Sequence, residues 1–146
     1  LSLSLLIADN IGYDSTFDAL MLYSKADLLS YRNKNDDALE ILDSLLIDYK
    51  GHSLTDEALF KAAQIYDVKR EWAIEDSLYS RILTEFPDDI LADDALFRKA
   101  ELHERKLKDG AKAMELYQDL LTKYPGSLFV VEARKRYRSL RGDFLN

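Results

Sequence analysis

The chain has 146 residues, 47% hydrophobic and 32% charged, which is typical of a folded domain rather than a disordered segment. Its formal net charge of −7 disfavours nonspecific binding to nucleic-acid phosphates and to anionic membrane surfaces. Because the chain contains no cysteine, disulfides, thiolate metal sites and cysteine nucleophiles are excluded.

The N-terminal stretch LSLSLLIADNIG precedes any clear helical pattern. Its apolar run, Leu5 to Ile7, is too short to span a bilayer, and no basic residue precedes it as a signal peptide requires. We therefore expect residues 1–14 to be the tail of a preceding element. The chain would then be the C-terminal fragment of a longer protein.

Apolar residues after this tail recur at three- and four-residue steps, as in Leu22, Ala26 and Leu29, which predicts amphipathic helices. No alternating pattern is long enough to predict a sheet. The predicted helices are, in chain order, 15–33, 36–49, 55–69, 71–86, 90–107, 109–124 and 128–141. Since no linker-like stretch divides them, we expect one all-α domain over residues 1–146.

The helices occur in a repeated pattern. ALFKAAQIY at 58–66 returns as ALFRKAELH at 95–103, which is 37 residues later (95 − 58), and LMLYSKADLL around Leu22 fits the same template upstream. A period of this length indicates stacked repeats. The predicted helix-pair repeats are 15–53, 54–90 and 91–127, and 128–146 is expected to form a capping helix over the open end.

The helix pairs resemble the tetratricopeptide repeat, whose signature is W-x2-L-G-x2-Y, then A-x3-F, then a proline. The corresponding residues are Leu22, Lys25, Ala26, Leu29, Ala38, Leu42 and Lys50; Leu59, Ala62, Ala63, Tyr66, Glu75, Tyr79 and Pro87; and Leu96, Lys99, Ala100, His103, Ala113, Tyr117 and Pro125. The resemblance implies a right-handed α-α superhelix in which small residues lie where the helices of a pair cross. Glu75 stands at a position that is usually small, so the second pair should be the least regular.

The unit of 37–38 residues exceeds the roughly 34 of the family. This longer period, with the endings EFPDD and KYPGS, is similar to helical-repeat proteins of the bacterial cell envelope, including outer-membrane assembly and Tol-associated types. That narrower resemblance favours the periplasm or cell envelope over the cytoplasm.

Motifs for catalysis or metal binding are missing from the sequence. HERKL at 103–107 has Leu107 where the zinc motif HExxH needs its second histidine. DDILADD at 88–94 lacks the glycine and the spacing of a calcium loop, and we expect its carboxylates at a helix start. We therefore predict no enzymatic activity, no cofactor and no bound metal.

The resemblance also implies that the first helix of each pair lines a concave face. The residues carried over to that face are Tyr23, Asp27, Ser30 and Tyr31; Phe60, Gln64, Asp67 and Val68; and Phe97, Glu101, Glu104 and Arg105. Aromatic rings beside carboxylates favour a partner segment that carries Lys or Arg. The alternative is that the carboxylates only solvate this face while the aromatic rings belong to the core.

These features predict a non-enzymatic protein–protein interaction or assembly scaffold that binds a protein or peptide in a concave, acidic, aromatic-lined groove. One alternative is self-association, in which the exposed N-terminal face stacks on further repeats or on a second chain. Another is a docking or regulatory domain within a longer enzyme.

Overall fold

A computed structural model describes residues 3–51 and 53–142, with side chains described from residue 16 onward. Its helices are α1 (Leu3–Tyr31), α2 (Asn35–Asp48), α3 (Thr55–Val68), α4 (Trp72–Glu85), α5 (Ala92–Arg105), α6 (Gly110–Lys123) and α7 (Val130–Arg141). These described ranges contain no strand, and the predicted all-α fold is confirmed. Within them, no helix has both the length and the apolar character that crossing a bilayer requires.

Six of the seven helices begin and end within about two residues of their predicted bounds, the scatter expected at helix ends. The first helix differs, because α1 begins at Leu3 rather than near residue 15. The stretch before residue 15 contains no proline and a single glycine, Gly12, so little stops the helix although its apolar pattern is weak. Residues 1 and 2 of the predicted tail lie outside the described residues.

The chain divides into two compact units, Leu1–Ile65 and Tyr66–Asn146. In the first unit α1 packs along α2, and the start of α3 adds further core residues. Its largest fully buried side chains are Leu42, Leu45, Leu59 and Ile65. The predicted crossing residues Ala26 and Ala63 are completely buried, as are Ala19 and Ala38.

In the second unit α5 packs against both α4 and α6, and α6 packs against α7. Its central core consists of Leu96, Phe97, Ala100, Ala113, Leu116, Tyr117, Leu120 and Ala133. Asp109 caps α6, because its carboxylate accepts a hydrogen bond from the Lys112 backbone N–H at 3.0 Å. Ala133 of α7 is completely buried, so α7 contributes directly to this core.

The turn inside each helix pair contains a residue in the left-handed conformation. These residues are Asn33, Arg70 and Lys108, with φ of 63°, 60° and 54°. In the first two turns the next N–H returns to the end of the preceding helix, from Lys34 to the Leu29 carbonyl at 2.8 Å and from Glu71 to the Tyr66 carbonyl at 2.9 Å. Such closure satisfies carbonyls that the helix leaves without partners.

Candidate protein-binding surfaces

The first unit carries a polar and aromatic stripe along α1. Tyr23, Asp27 and Tyr31 are spaced four residues apart, so they share one helix face. Tyr31 is 87% exposed and Asp27 is also exposed, whereas Tyr23 is half-buried. An exposed ring beside an exposed carboxylate gives this face both apolar contact area and negative charge.

The start of α3 lies beside this stripe within the same unit. Lys61 Nζ approaches Asp27 Oδ1 at 2.7 Å, and Asp27 remains 58% exposed in this ion pair. Gln64 is exposed on α3, whereas Phe60 is only 9% exposed. The structure therefore brings Tyr23, Asp27, Tyr31 and Gln64 to accessible positions and uses Phe60 mainly as a core residue.

Carboxylates dominate the electrostatics around Tyr23. Burial raises the pKa of the Tyr23 hydroxyl, and the negative charges of Asp27, Glu57 and Asp56 raise it further. Burial and the neighbouring Asp56 likewise raise the pKa of Glu57. Lys61 pairs with one of these carboxylates, Asp27, and the negative charges of Asp27, Glu57 and Asp56 all act on the Tyr23 hydroxyl.

Asp67 and Val68, at the end of α3, are exposed and belong to the second unit. Asp67 lies near Glu75, which is only 3% exposed and accepts a hydrogen bond from the Tyr79 hydroxyl at 2.9 Å. Burial raises the pKa of Glu75 to about 8, with the Asp67 carboxylate opposing its ionisation. The unusual acid at the small-residue position is therefore accommodated in its protonated form at neutral pH.

Phe97 in α5 does not contribute an exposed ring. It is 3% exposed and stacks on Phe129 with ring centroids 4.7 Å apart. The guanidinium groups of Arg136 and Arg98 lie 5.0 Å and 5.6 Å from the centre of the same ring. Phe97 therefore stabilises the packing of α5 against the segment that leads into α7.

Glu101 is held by arginines from two helices. Arg136 Nη1 of α7 donates to its Oε2 at 2.6 Å, Arg98 Nη1 donates to its Oε1 at 2.8 Å, and Arg105 Nη1 lies at 3.5 Å. Burial by itself would raise the pKa of Glu101, but the hydrogen bonds from Arg136 and Arg98 outweigh burial and lower it. This carboxylate is ionised and already serves as an anchor for α7.

Glu104 is also engaged inside the second unit. It accepts a hydrogen bond from the Tyr117 hydroxyl at 2.6 Å, and Arg136 Nη1 donates to that hydroxyl oxygen at 3.3 Å. Arg136 also donates from Nε to Glu132 at 2.9 Å, so one guanidinium connects α5, α6 and α7. We call Glu101, Glu104, Tyr117, Glu132 and Arg136 the α7 anchor.

Sequence reasoning did not single out Arg136 for this role. The Glu132–Arg136 spacing of four residues signals a helix-surface pair, but the sequence does not show that α7 turns this face toward Glu101. The contact between Arg136 and Glu101 joins residues that are 35 positions apart in the chain, and only the folded structure can establish it.

The two metal-like sequence motifs, DDILADD and HERKL, lie at the two ends of α5. Among the residues with described side chains, no group of three or more His, Asp or Glu is placed to hold a metal ion. In DDILADD, Asp94 pairs with Arg98 at 3.1 Å and Asp93 accepts from the Ser127 hydroxyl at 2.6 Å, both in the first turn of α5. His103 lies 3.0 Å from Asp76 of α4, so the histidine of HERKL joins two packed helices.

Comparisons with known proteins agree with the helical-repeat assignment. The family model described as Tetratricopeptide repeat matches residues 94–127, which closely coincides with the predicted third repeat. No curated protein sequence matches the chain. Among solved structures, the chain is similar to one titled "First TPR of Spaghetti (RPAP3) bound to HSP90 peptide SRMEEVD".

That structural similarity has a TM-score of 0.63 at 17% sequence identity and covers 88% of this chain and 94% of the other. Identity this low supports a shared fold and nothing finer. The helix order, the internal repeats and both comparisons therefore define a tetratricopeptide-like helical-repeat fold.

Proposed function

We propose that the chain is a non-enzymatic protein-interaction module whose first unit binds a partner segment carrying Lys or Arg. The observation that supports it is the α1 stripe of Tyr23, Asp27 and Tyr31, with Asp56 and Glu57 adding negative charge beside it. We call this set, together with Gln64, the α1 stripe surface. The predicted ligand residues of the second unit take a smaller part, because Phe97, Glu101 and Glu104 are occupied within that unit.

Tyr31 and Asp27 have different roles on this surface. An 87% exposed tyrosine ring offers a flat apolar face on which an aliphatic or guanidinium group can pack. Asp27 supplies a carboxylate that is already paired with Lys61, so an incoming cation competes with that lysine. Affinity therefore depends on ring contact, and the carboxylates mainly steer association.

The structural neighbour bound the peptide SRMEEVD, which has three carboxylate side chains and one arginine. In this chain, by contrast, the carboxylates around Tyr23 favour a peptide with positive charge. The predicted concave groove, like the predicted cell-envelope location, stays a prediction.

The probe we suggest is a pair of fluorescent peptides measured by anisotropy at several salt concentrations. One is SRMEEVD, and the other is SRMKKVK, in which lysine replaces the three acidic residues. The basic peptide should bind more tightly, and its advantage should decline with salt because exposed charges are screened. Tyr31→Ala should weaken binding by about 2 kcal/mol or more if the ring is a hot spot.

Two matched variants separate charge from contact. Lys61→Met should strengthen binding of the basic peptide, because it removes the ammonium that competes for Asp27. Asp43→Asn, at an exposed carboxylate of α2 outside the stripe, should leave binding unchanged. Equal or tighter binding of SRMEEVD would refute the proposed charge preference, and an unaffected Tyr31→Ala variant would refute the proposed surface.

A further inference from the structure

A second surface of the first unit lies away from the α1 stripe surface. It is an apolar groove of about 560 Å³ formed by α1 and the end of α2. Its lining includes Asp18, Met21, Leu22, Lys25, Leu28 and Tyr49. Met21 is 55% exposed and Leu28 is 49% exposed, so this groove leaves large apolar side chains in water. We call it the α1 groove.

The repeat register shows what occupies the corresponding groove elsewhere in the chain. Met21 and Leu28 correspond to Ala95 and Leu102 of α5, 74 positions later (95 − 21). Ala95 is completely buried and Leu102 is 3% exposed. α4 packs against α5, and Lys99, which shares a helix face with Ala95 and Leu102, contacts Ser80 and Asp76 of α4. A helix therefore covers in the third pair the surface that the first pair exposes.

Polar contacts in the third pair define the chemistry of that covering helix. Lys99, which corresponds to Lys25, donates to the Ser80 hydroxyl at 2.5 Å and lies 3.6 Å from the Asp76 carboxylate. Tyr124, which corresponds to Tyr49, donates to the carbonyl of Pro87 just beyond the end of α4 at 2.7 Å. Both the lysine and the tyrosine recur beside the α1 groove.

We propose that the α1 groove binds an amphipathic α-helix of a partner protein that resembles α4. Such a helix presents an apolar stripe to Met21, Leu22 and Leu28. It carries an Asp or Glu opposite Lys25, with a hydroxyl residue one turn later, as Asp76 and Ser80 do in α4. The acidic residue that this helix needs opposite Lys25 contrasts with the Lys or Arg proposed for the α1 stripe surface. The two surfaces therefore select different partners.

A second copy of the chain does not supply this helix in its folded form. The matching stripe of α4 already packs on α5, where Asp76 contacts both Lys99 and His103. Offering that stripe to another chain would require breaking these contacts. The groove therefore suits a helix from outside the folded chain.

The probe for this site is a labelled peptide with the sequence of residues 70–88, which contains α4 and the turn after it. Isolated helices of this length are marginal in water, so the peptide folds as it binds. We expect saturable binding to the intact chain, measured by anisotropy. The double variant Met21→Glu with Leu28→Glu should weaken it by about thirtyfold, the loss caused by removing one hot spot.

Two controls make the result specific. Ile47→Glu, at a 75% exposed apolar residue of α2 outside the groove, should leave peptide affinity unchanged. Lys25→Glu should weaken binding, and a peptide carrying Lys at the position of Asp76 should restore it. Rescue by the peptide with Lys at that position would show that the peptide docks on Lys25. A peptide that displaced the chain's own α4 would instead contact Lys99 and would not respond to the change at Lys25.

Three outcomes would overturn the proposal. They are no binding of the peptide, binding that the double variant leaves intact, and a dimer in light scattering that the same variant abolishes. The last outcome would identify a second copy as the occupant. Binding of SRMKKVK that depends on Tyr31, combined with failure of the α4 peptide, would refute only this inference and leave the proposed function standing.

Discussion

The first and third helix pairs follow one register but differ in what surrounds their first helices. Ala26 and Ala100 are both completely buried, as are Ala38 and Ala113 in the second helices. Around α5, however, apolar residues are covered by α4 and the carboxylates are held by arginines, whereas α1 keeps apolar residues and carboxylates exposed. Thus the repeat pattern determines how a pair packs internally, while its neighbours determine which side chains remain available for partners.

The largest expected effect tests this comparison at one repeat position. Leu102 is 3% exposed and Leu28, its counterpart, is 49% exposed. Leu102→Ala should lower the free energy of unfolding by about 2–5 kcal/mol, because it leaves a cavity between packed helices. Leu28→Ala should cost about 1 kcal/mol or less, since much of its side chain is already in water.

Urea unfolding of both variants measures the difference directly from the transition midpoints. Circular dichroism before denaturation checks that each variant retains its helices. Equal losses at the two positions would mean that Leu28 is covered in solution, and the comparison between the pairs would then be wrong.

A smaller effect is expected from the α7 anchor. Arg136 is 16% exposed on its side chain and neutralises Glu101, which is equally buried. Arg136→Met should cost about 2–3 kcal/mol, because it leaves that carboxylate desolvated without its nearest cation. Lys61→Met, in the exposed pair with Asp27, should cost no more than about 1 kcal/mol.

Arg134→Met is the matched control for the α7 anchor, because Arg134 is exposed on the same helix. It removes a guanidinium and keeps helix propensity similar, so its unfolding midpoint should stay near that of the unmodified chain. If Arg136→Met and Arg134→Met behave alike, the ion pairs of Arg136 do not stabilise the attachment of α7.

Much of the fold could be predicted from the sequence because its signals are local. Apolar spacing determined the helices, and the recurring small residue Ala100 determined the register of the third pair. The part of α1 before residue 15 was missed because a helix without a clear apolar stripe gives no periodic signal. The family match to residues 94–127 falls on the pair whose signature is most regular.

The candidate surfaces were less predictable, since side-chain availability depends on distant parts of the chain. Tyr31 and Asp27 are exposed, and their role in binding stays a prediction. Phe97 is instead covered by Phe129, and Glu101 is bound by Arg136, both from the segment after the third pair. Carrying positions over from a repeat family cannot anticipate such contacts, because they come from the segment after the last repeat.

The last expected effect depends on pH and concerns Glu75, the acid at the small-residue position of the second pair. Burial raises its pKa from 4.5 to about 8. The folded chain therefore retains a proton that the unfolded chain releases, so the stabilising contribution is complete below about pH 4.5. It declines as the pH rises toward 8, by at most about 1.4 kcal/mol per pH unit.

Glu75→Gln keeps the side-chain size and its capacity to hydrogen-bond with Tyr79, but it cannot ionise. Its unfolding midpoint in urea should match that of the unmodified chain near pH 5 and exceed it near pH 8, with the gap widening between them. Glu40→Gln, at an exposed carboxylate of α2, should leave the pH profile unchanged. Parallel pH profiles for Glu75→Gln and the unmodified chain would show that Glu75 is ionised in the folded state. Its buried carboxylate would then need a cation or water near Tyr79, and the polar interior of the second unit would be more hydrated than its packing indicates.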